Sequence, residues 1–233
     1  MRITLLTFVI VASVGAGIGT AILLVKPKPA VQTQTTPNVI SIPSLIAANT
    51  QVPLPLGNNK PQFLAALADT ISRAPAGITQ IYPILGGALN AGTQPASTQD
   101  ILGLLSPNVN GAFIRALEPE MTIGSVTVGN TNQPFIILKS YAFDTFFAGM
   151  LEWESSINSD LRPVFGDVVT ESLNAHTGKV GPAHFDDALE QNRNIRILYD
   201  RDGNERILYA FVSRDTVVIT STGEALSTLL SRM

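Results

Sequence analysis

The sequence predicts an α+β domain with a mainly antiparallel sheet covered by helices, carried on an N-terminal transmembrane helix and a Pro/Thr-rich stalk. Three observations predict it. Residues 3–25 are apolar and carry no charge. Residues 26–38 are rich in Pro, Thr and Gln and hold no acid. Beyond them, alternating runs come in hairpin pairs, with stretches of helical spacing between them. That pattern belongs to α+β folds rather than to alternating βα units.

The anchor follows from length. A helix of 23 residues rises about 34 Å at 1.5 Å per residue, enough for a hydrocarbon core of about 30 Å. A backbone in lipid must pair its own amides, so a helix is the only single-segment solution. A cleaved signal peptide is the rival reading. Gly19-Thr20-Ala21 offers a cleavage site, but Ile22 to Val25 continue the apolar run past it, which favours a retained anchor. Arg2 lies on one side and Lys26 and Lys28 on the other, so counting positive charges does not orient the helix. The stub of two residues is too short for a domain, and the expected place for the large domain is outside the cytoplasm. Gly15 and Gly19 form a GxxxG face through which two such helices could pack as a homodimer.

Residues 26–38 read as a flexible linker, because proline favours extended geometry and little apolar surface is present to offset ordering entropy. The extracytoplasmic domain is assigned to residues 39–233, with its main body starting at Pro61. Residues 39–56 are more apolar, but Pro43, Pro53 and Pro55 restrict them to edge or interrupted strands. Asn58-Asn59 ahead of Pro61 predicts a helix start, and Phe63, Leu64, Leu67 and Ile71 recur at helical spacing. Residues 74–77 stop it. Ile78, Ile81, Ile84 and Leu85 suggest a strand, and Pro83 suggests an edge. Residues 86–96 are a small-residue loop. Ser97 with Asp100 predicts a capping box, and residues 110–117 a further helix stopped at Pro119.

The carboxyl half carries stronger signals. Residues 121–128 and 134–139 flank Gly129-Asn-Thr-Asn132, which predicts a hairpin. Residues 140–161 predict one long helix with Phe143, Phe146, Phe147, Met150, Leu151, Trp153, Ile157 and Leu161 on a broad face, and Asp144, Glu152, Ser155 and Asp160 turned away. Residues 184–191 suggest a short helix. Residues 195–199 and 207–212 are strands about the turn Asp200-Arg-Asp-Gly-Asn204, and 216–220 a third. Ser221 with Glu224 predicts the cap of a last helix. The sheet is expected to be covered on one face.

Composition excludes several functions. The chain has no cysteine, hence no disulfide, thiol nucleophile, Cys-ligated zinc or lipid-modified cysteine. The first acid is Asp69; the first 60 residues carry a net +4, while the remainder holds 11 basic and 18 acidic residues, a net −7. An acidic domain without a basic cluster does not bind nucleic acid. The N-terminal positives suit anionic headgroups of a bilayer. Asp200-x-Asp202-Gly203 lacks the glycine position and the distant Glu of an EF-hand, and reads as turn chemistry. There is no G-x-S-x-G, P-loop or H-E-x-x-H; His176 and His184 share no helical face and have no third ligand in a metal spacing. Glu152 and Glu154 point in nearly opposite directions from one helix, so they do not make an acid–base pair. Asp186 and Glu190 share a face, which reads as solvated surface. Trp153 reads as core. No catalytic residue, metal or cofactor is assigned.

Phe147-Ala-Gly-Met-Leu-Glu-Trp-Glu154, Phe185-x-Asp187, Asn192-x-Asn194-x-Arg196-x-Leu198, Tyr209-x-Phe211 and Thr216-Val-Val-Ile-Thr220 resemble a group of uncharacterised single-pass, membrane-anchored α+β proteins of small-genome candidate-phylum bacteria. The likeness covers roughly residues 110–233 and the layout of anchor and stalk. It implies a bacterial envelope location and no particular activity, and in that group Asp is commoner where this chain has Asn194. Read from the residues alone, Asp187, Asn192 and Arg196 tie a helix–strand junction by charge-assisted hydrogen bonds, with a ligand site as the alternative. The expected function is a non-enzymatic interaction or assembly domain with an envelope protein partner. An envelope hydrolase using acids near Asp187 or Glu154, and a small-ligand or cation-binding domain built on residues 86–96, are the alternatives.

Overall fold

The computed structural model describes residues 42–86, 94–106, 109–190 and 192–233. The anchor, with Gly15 and Gly19, and the linker lie outside them. No helix among the described residues is long and apolar enough to cross a membrane.

The fold is α+β with a mainly antiparallel sheet. Strand β1 (Thr50–Pro55) leads through helix α1 (Lys60–Ser72) to β2 (Ile78–Ile84), and these two strands pair in parallel. Helices α2 (Thr98–Leu105) and α3 (Gly111–Ala116) precede the hairpin of β3 (Leu117–Val128) and β4 (Thr131–Ser140). Then come α4 (Phe143–Trp153), α5 (Ile157–Asp160) and the small pair β5 (Glu171–Leu173) and β6 (Val180–Pro182). Strands β7 (Phe185–Glu190), β8 (Arg193–Tyr199), β9 (Glu205–Phe211) and β10 (Thr216–Thr220) end at α6 (Gly223–Leu230). The eight-stranded sheet runs β1-β2-β3-β4-β10-β9-β8-β7. Its two halves therefore meet where β10 pairs with β4, Val218 opposite Ile137.

Local chemistry explains most boundaries. The Asn59 side chain accepts the Gln62 amide at the start of α1, with Pro61 in the first turn. Ser97 and Asp100 form the reciprocal capping box of α2. In the turn before β9 the Asp200 carboxylate accepts the Asp202 and Asn204 amides, the turn chemistry its sequence predicts.

Several expectations need correction. The sheet is covered on both faces. Helices α1 to α5 lie on the face of Ile81, Ile136, Leu138, Val217 and Tyr209. The opposite face, with Phe135, Ile137, Ile197 and Val218, is covered by Leu226 and Leu229 of α6 and by Ile46. The uninterrupted apolar runs in β4 and β10 are the trace of this double burial. Strand β2 is internal rather than an edge. Its pairing to β3 ends at Ile81, so Pro83 removes no bond on that side. Pro119 lies inside β3, at the register shift between Leu117 and Met121, and α3 ends earlier, at Ala116. The last helix is capped by Thr222, not Ser221, whose hydroxyl donates instead to Gln133.

Two corrections shape the site. The predicted helix over 140–161 breaks after Trp153. The amides of Ser155 and Ser156 bond three residues back, to Glu152 and Trp153, and both serine hydroxyls take local partners. Beyond the break Ile157 and Leu161 enter the core, and Glu154 is the C-cap, its amide still bonded to Met150 O. Asp160 does not turn outward; it is largely buried and accepts Trp153 Nε1 at 3.0 Å and Lys60 Nζ at 2.9 Å. The second correction is that residues 184–191 are no helix. Phe185–Glu190 is the edge strand β7, in register with β8 from Phe185↔Leu198 to Glu190↔Arg193. The segment is short, and its period is ambiguous without its partner.

Candidate functional site

The site is built where α4 crosses the β7–β9 end of the sheet. Strand β8 presents Arg196 to the helical face, directly opposite Asp187 on β7 and Tyr209 on β9. The end of α4 supplies Glu154. Arg196 Nε and Nη2 donate to Glu154 Oε1 and Oε2, each at 2.7 Å. The buried Tyr209 hydroxyl donates to Oε1, also at 2.7 Å. Arg196 Nη1 reaches Asp187 Oδ1 at 2.9 Å. Bonds from Glu154 hold the Arg196 guanidinium charged at any ordinary pH, against an opposing push from burial. Burial, and then the Glu154 carboxylate, push the Tyr209 phenol well above its usual range.

The scaffold of these charged residues differs from the one expected from the sequence. Asp187 and Arg196 are cross-strand neighbours, not partners across a helix–strand junction. Asn192 stands in the turn between β7 and β8 with φ of 60°, a left-handed conformation that asparagine tolerates well. Trp153 is core, its ring tilted against Phe113 at 6.2 Å. Glu152 points elsewhere, accepting Asn110 Nδ2 at 3.3 Å.

Two clefts flank Arg196, and it lines both. The first, of about 610 Å³, has Phe143 and Phe147 of α4 and Phe211 of β9 as its apolar wall, with Asp187, Arg193 and Asn194 at its polar side. The rings touch one another: Phe147 lies 5.4 Å from Phe211 and Phe143 lies 5.7 Å from it, edge to face. Phe147 and Leu151 are 42% and 40% exposed, so the broad apolar stripe of α4 divides. Phe146, Met150 and Trp153 enter the core, and Phe143, Phe147 and Leu151 face the clefts. A stripe wider than one core-facing side was the signal in the sequence. Arg214 lies over the Phe143 ring at 5.4 Å.

The second cleft, of about 500 Å³, is lined by Glu154, Asn158, His184 and Arg196 among others. His184 Nδ1 lies 2.8 Å from Ser172 Oγ, and Nε2 lies 3.2 Å from Asp186 Oδ1 and 2.9 Å from Asn174 Nδ2. Ser172 is fully buried. Asp186 is buried too, a correction to its reading as solvated surface: it accepts Asn174 Nδ2 at 3.0 Å and the Ala175 amide at 2.9 Å. Glu190, two pleats along the same side of β7, has its carboxyl raised by burial and by Glu205. His176 Nε2 meets the Asp187 carbonyl at 3.1 Å, so the β5–β6 loop covers part of the β7 edge.

Chemically the centre is saturated. Every oxygen of Glu154 already accepts a strong hydrogen bond, and both nitrogens of His184 have protein partners. Among the described residues no group of three or more His, Cys, Asp or Glu could hold a metal ion. Residues 87–93 of the small-residue loop lie outside the described residues. The described end of the loop, Pro95 to Ser97, borders a cavity of about 340 Å³ with Tyr82, Pro83 and Ile101. Comparison with protein-family models, curated proteins and solved structures finds no match for this chain.

Proposed function

We propose that this chain is a non-enzymatic interaction or assembly domain of a bacterial cell envelope, anchored by residues 3–25 and held outside the cytoplasm on residues 26–38. The observation that carries the reading is the cleft at Arg196. Its ionised groups are bonded to one another rather than poised for proton transfer, while three phenylalanine rings stand open beside them. That composition suits recognition: an apolar wall with a few fixed polar groups. Strand addition at β7 fits less well, because His176 already occupies the Asp187 carbonyl.

The test is a photoreactive benzoylphenylalanine at position 147 of the full chain in intact membranes. A discrete adduct is expected, competed by excess unlabelled chain and missing when the probe stands at exposed Arg232 on the opposite side of the sheet. Equal labelling from both positions, or none, would overturn the reading.

A hydrolase is the second reading. In its favour, His184 lies in a cleft wall within reach of both Ser172 and Asp186. The buried Ser172 hydroxyl is shielded from a substrate. A serine-directed fluorophosphonate is therefore expected to leave Ser172 unmodified; labelling there would establish the enzyme instead.

A further inference from the structure

The guanidinium of Arg196 divides its donors unequally. Nε and Nη2 are locked to Glu154, which the Tyr209 hydroxyl holds from behind. The plane and direction of the group are therefore fixed before any ligand arrives. Nη1 is bonded instead to Asp187, which lines the aromatic cleft with Arg196. The Asp187 side chain is 83% exposed, and among the described residues its carboxylate bonds to Arg196 alone. An exposed carboxylate held by one arm exchanges readily with solvent.

We infer that the aromatic cleft takes an extended acidic peptide of a partner protein, a carboxylate replacing Asp187 at Arg196 Nη1 while a neighbouring apolar side chain enters between Phe143, Phe147 and Phe211. This rests on the interaction reading above and names its ligand. Charge complementarity supports it. Arg214 lies against the Phe143 wall; with Arg196 these two cations balance the two anions Asp187 and Glu154. Once Asp187 swings into solvent, one positive charge at the cleft is left unbalanced. A volume of about 610 Å³ holds a few residues, not a helix or a folded surface, and lies within the usual range for ligand pockets. The side chains of Asn192 and Asn194 at the polar rim can hydrogen-bond a peptide backbone. Three phenylalanine rings packed against each other suit an apolar side chain better than a sugar, whose hydroxyls would find few partners on that wall.

The experiment uses the full chain in detergent micelles and fluorescent peptides read by anisotropy. The probes are acetyl-Gly-Phe-Asp-Gly amide, its Asn counterpart and its Ala-Asp counterpart. The Phe-Asp peptide is expected to bind at least tenfold tighter than either. Asp187→Asn removes the internal competitor and is expected to tighten binding several-fold; Arg196→Lys, which keeps the charge but not the fork, is expected to weaken it tenfold or more. Thermal melting of each variant checks that it is folded, and the exposed Asp187→Asn keeps the comparison open if Arg196→Lys unfolds. Asp187→Asn binding less tightly, equal binding of the Asn peptide, or no binding of any peptide at millimolar concentration would overturn the inference. Galacturonic acid displacing the probe with equal affinity, regardless of the peptide's Phe, would overturn it in favour of an anionic glycan. If the peptides fail while the adduct at position 147 persists, the interaction domain stands and only this ligand class falls; if both fail, so does the domain's proposed role.

Discussion

Arg196→Ala would leave the Glu154 carboxylate, only 15% exposed, without its bidentate partner. Removing one member of such a pair strands a charge in poor solvent, so a loss of about 3 kcal/mol is expected in urea unfolding. Tyr209→Phe deletes one donor to the same carboxylate and is expected to cost about 1 kcal/mol, with the fold intact. Asp187→Asn is the contrast. Its partner keeps two stronger bonds and its own side chain is in water, so stability is expected to stay within about 0.5 kcal/mol. A shift as large as that of Arg196→Ala would show that the outer arm of the bridge, not the inner one, holds the site together. The three residues lie within one network, so their effects will not add, and a double-mutant cycle between Glu154 and Tyr209 measures the coupling directly.

At the level of elements, α4 is positioned by a close approach to α3. A Cβ built on Gly149 would fall 2.2 Å from Phe113 Cδ2. Phe113 in turn stacks on Phe146 at 6.0 Å and lies beside Trp153. Gly149→Ala must push the two helices apart, and a loss of about 1–3 kcal/mol is expected from thermal or urea melts. Because the same helix carries Phe147 and Glu154, this variant is also expected to weaken ligand binding at the cleft without touching a ligand. Undiminished binding in a folded Gly149→Ala protein would mean that the aromatic wall is not set by this contact. The break after Trp153 has a comparable role. It ends α4 at Glu154, the C-cap, whose carboxylate meets Arg196 of β8.

Across the whole molecule, Asp160 ties the first helix to the end of the fourth. Burial pushes its carboxyl upward, but bonds from Lys60, Ser156 and Trp153 outweigh that and hold it below the usual range. A carboxyl with a lower value folded than unfolded stabilises the fold fully above its unfolded pKa, near 3.9, and ceases to do so as the pH falls through the folded value. Asp160→Asn is therefore expected to cost about 1–3 kcal/mol at pH 7, with the gap to the parent narrowing as the pH falls below the ordinary carboxylate range. A gap that stays constant in urea titrations from pH 7 down into the acid range would remove Asp160 as a source of acid sensitivity. The proposed tether makes a separate prediction. Alkaline carbonate washing is expected to leave the chain in the membrane pellet with Arg2 still present on sequencing. Release into the supernatant as a species beginning near Ile22 would remove the anchor and the envelope role built on it.

How much of this was legible depends on whether the signal was local. Helix caps at Asn59 and Ser97, the turn at Asp200, the hairpin at Gly129 and the strand at 216–220 rest on contacts within a few residues, and the sequence carried them unaided. So too did the charged residues of the site as types. What they do was settled by distant neighbours. Phe185–Glu190 became a strand because β8 lay ready to pair with it, and Pro83 could sit inside the sheet because the pairing of β2 to β3 ends at Ile81. Only the folded chain could show that Phe147 and Leu151 escape the core while Phe146 and Met150 fill it, since all four lie on one apolar stripe. The sequence by itself determined the α+β class and the apolar inventory, because periodicity and capping are properties of neighbouring residues. Tertiary structure decided the cleft, because a cleft exists only between elements distant in the chain.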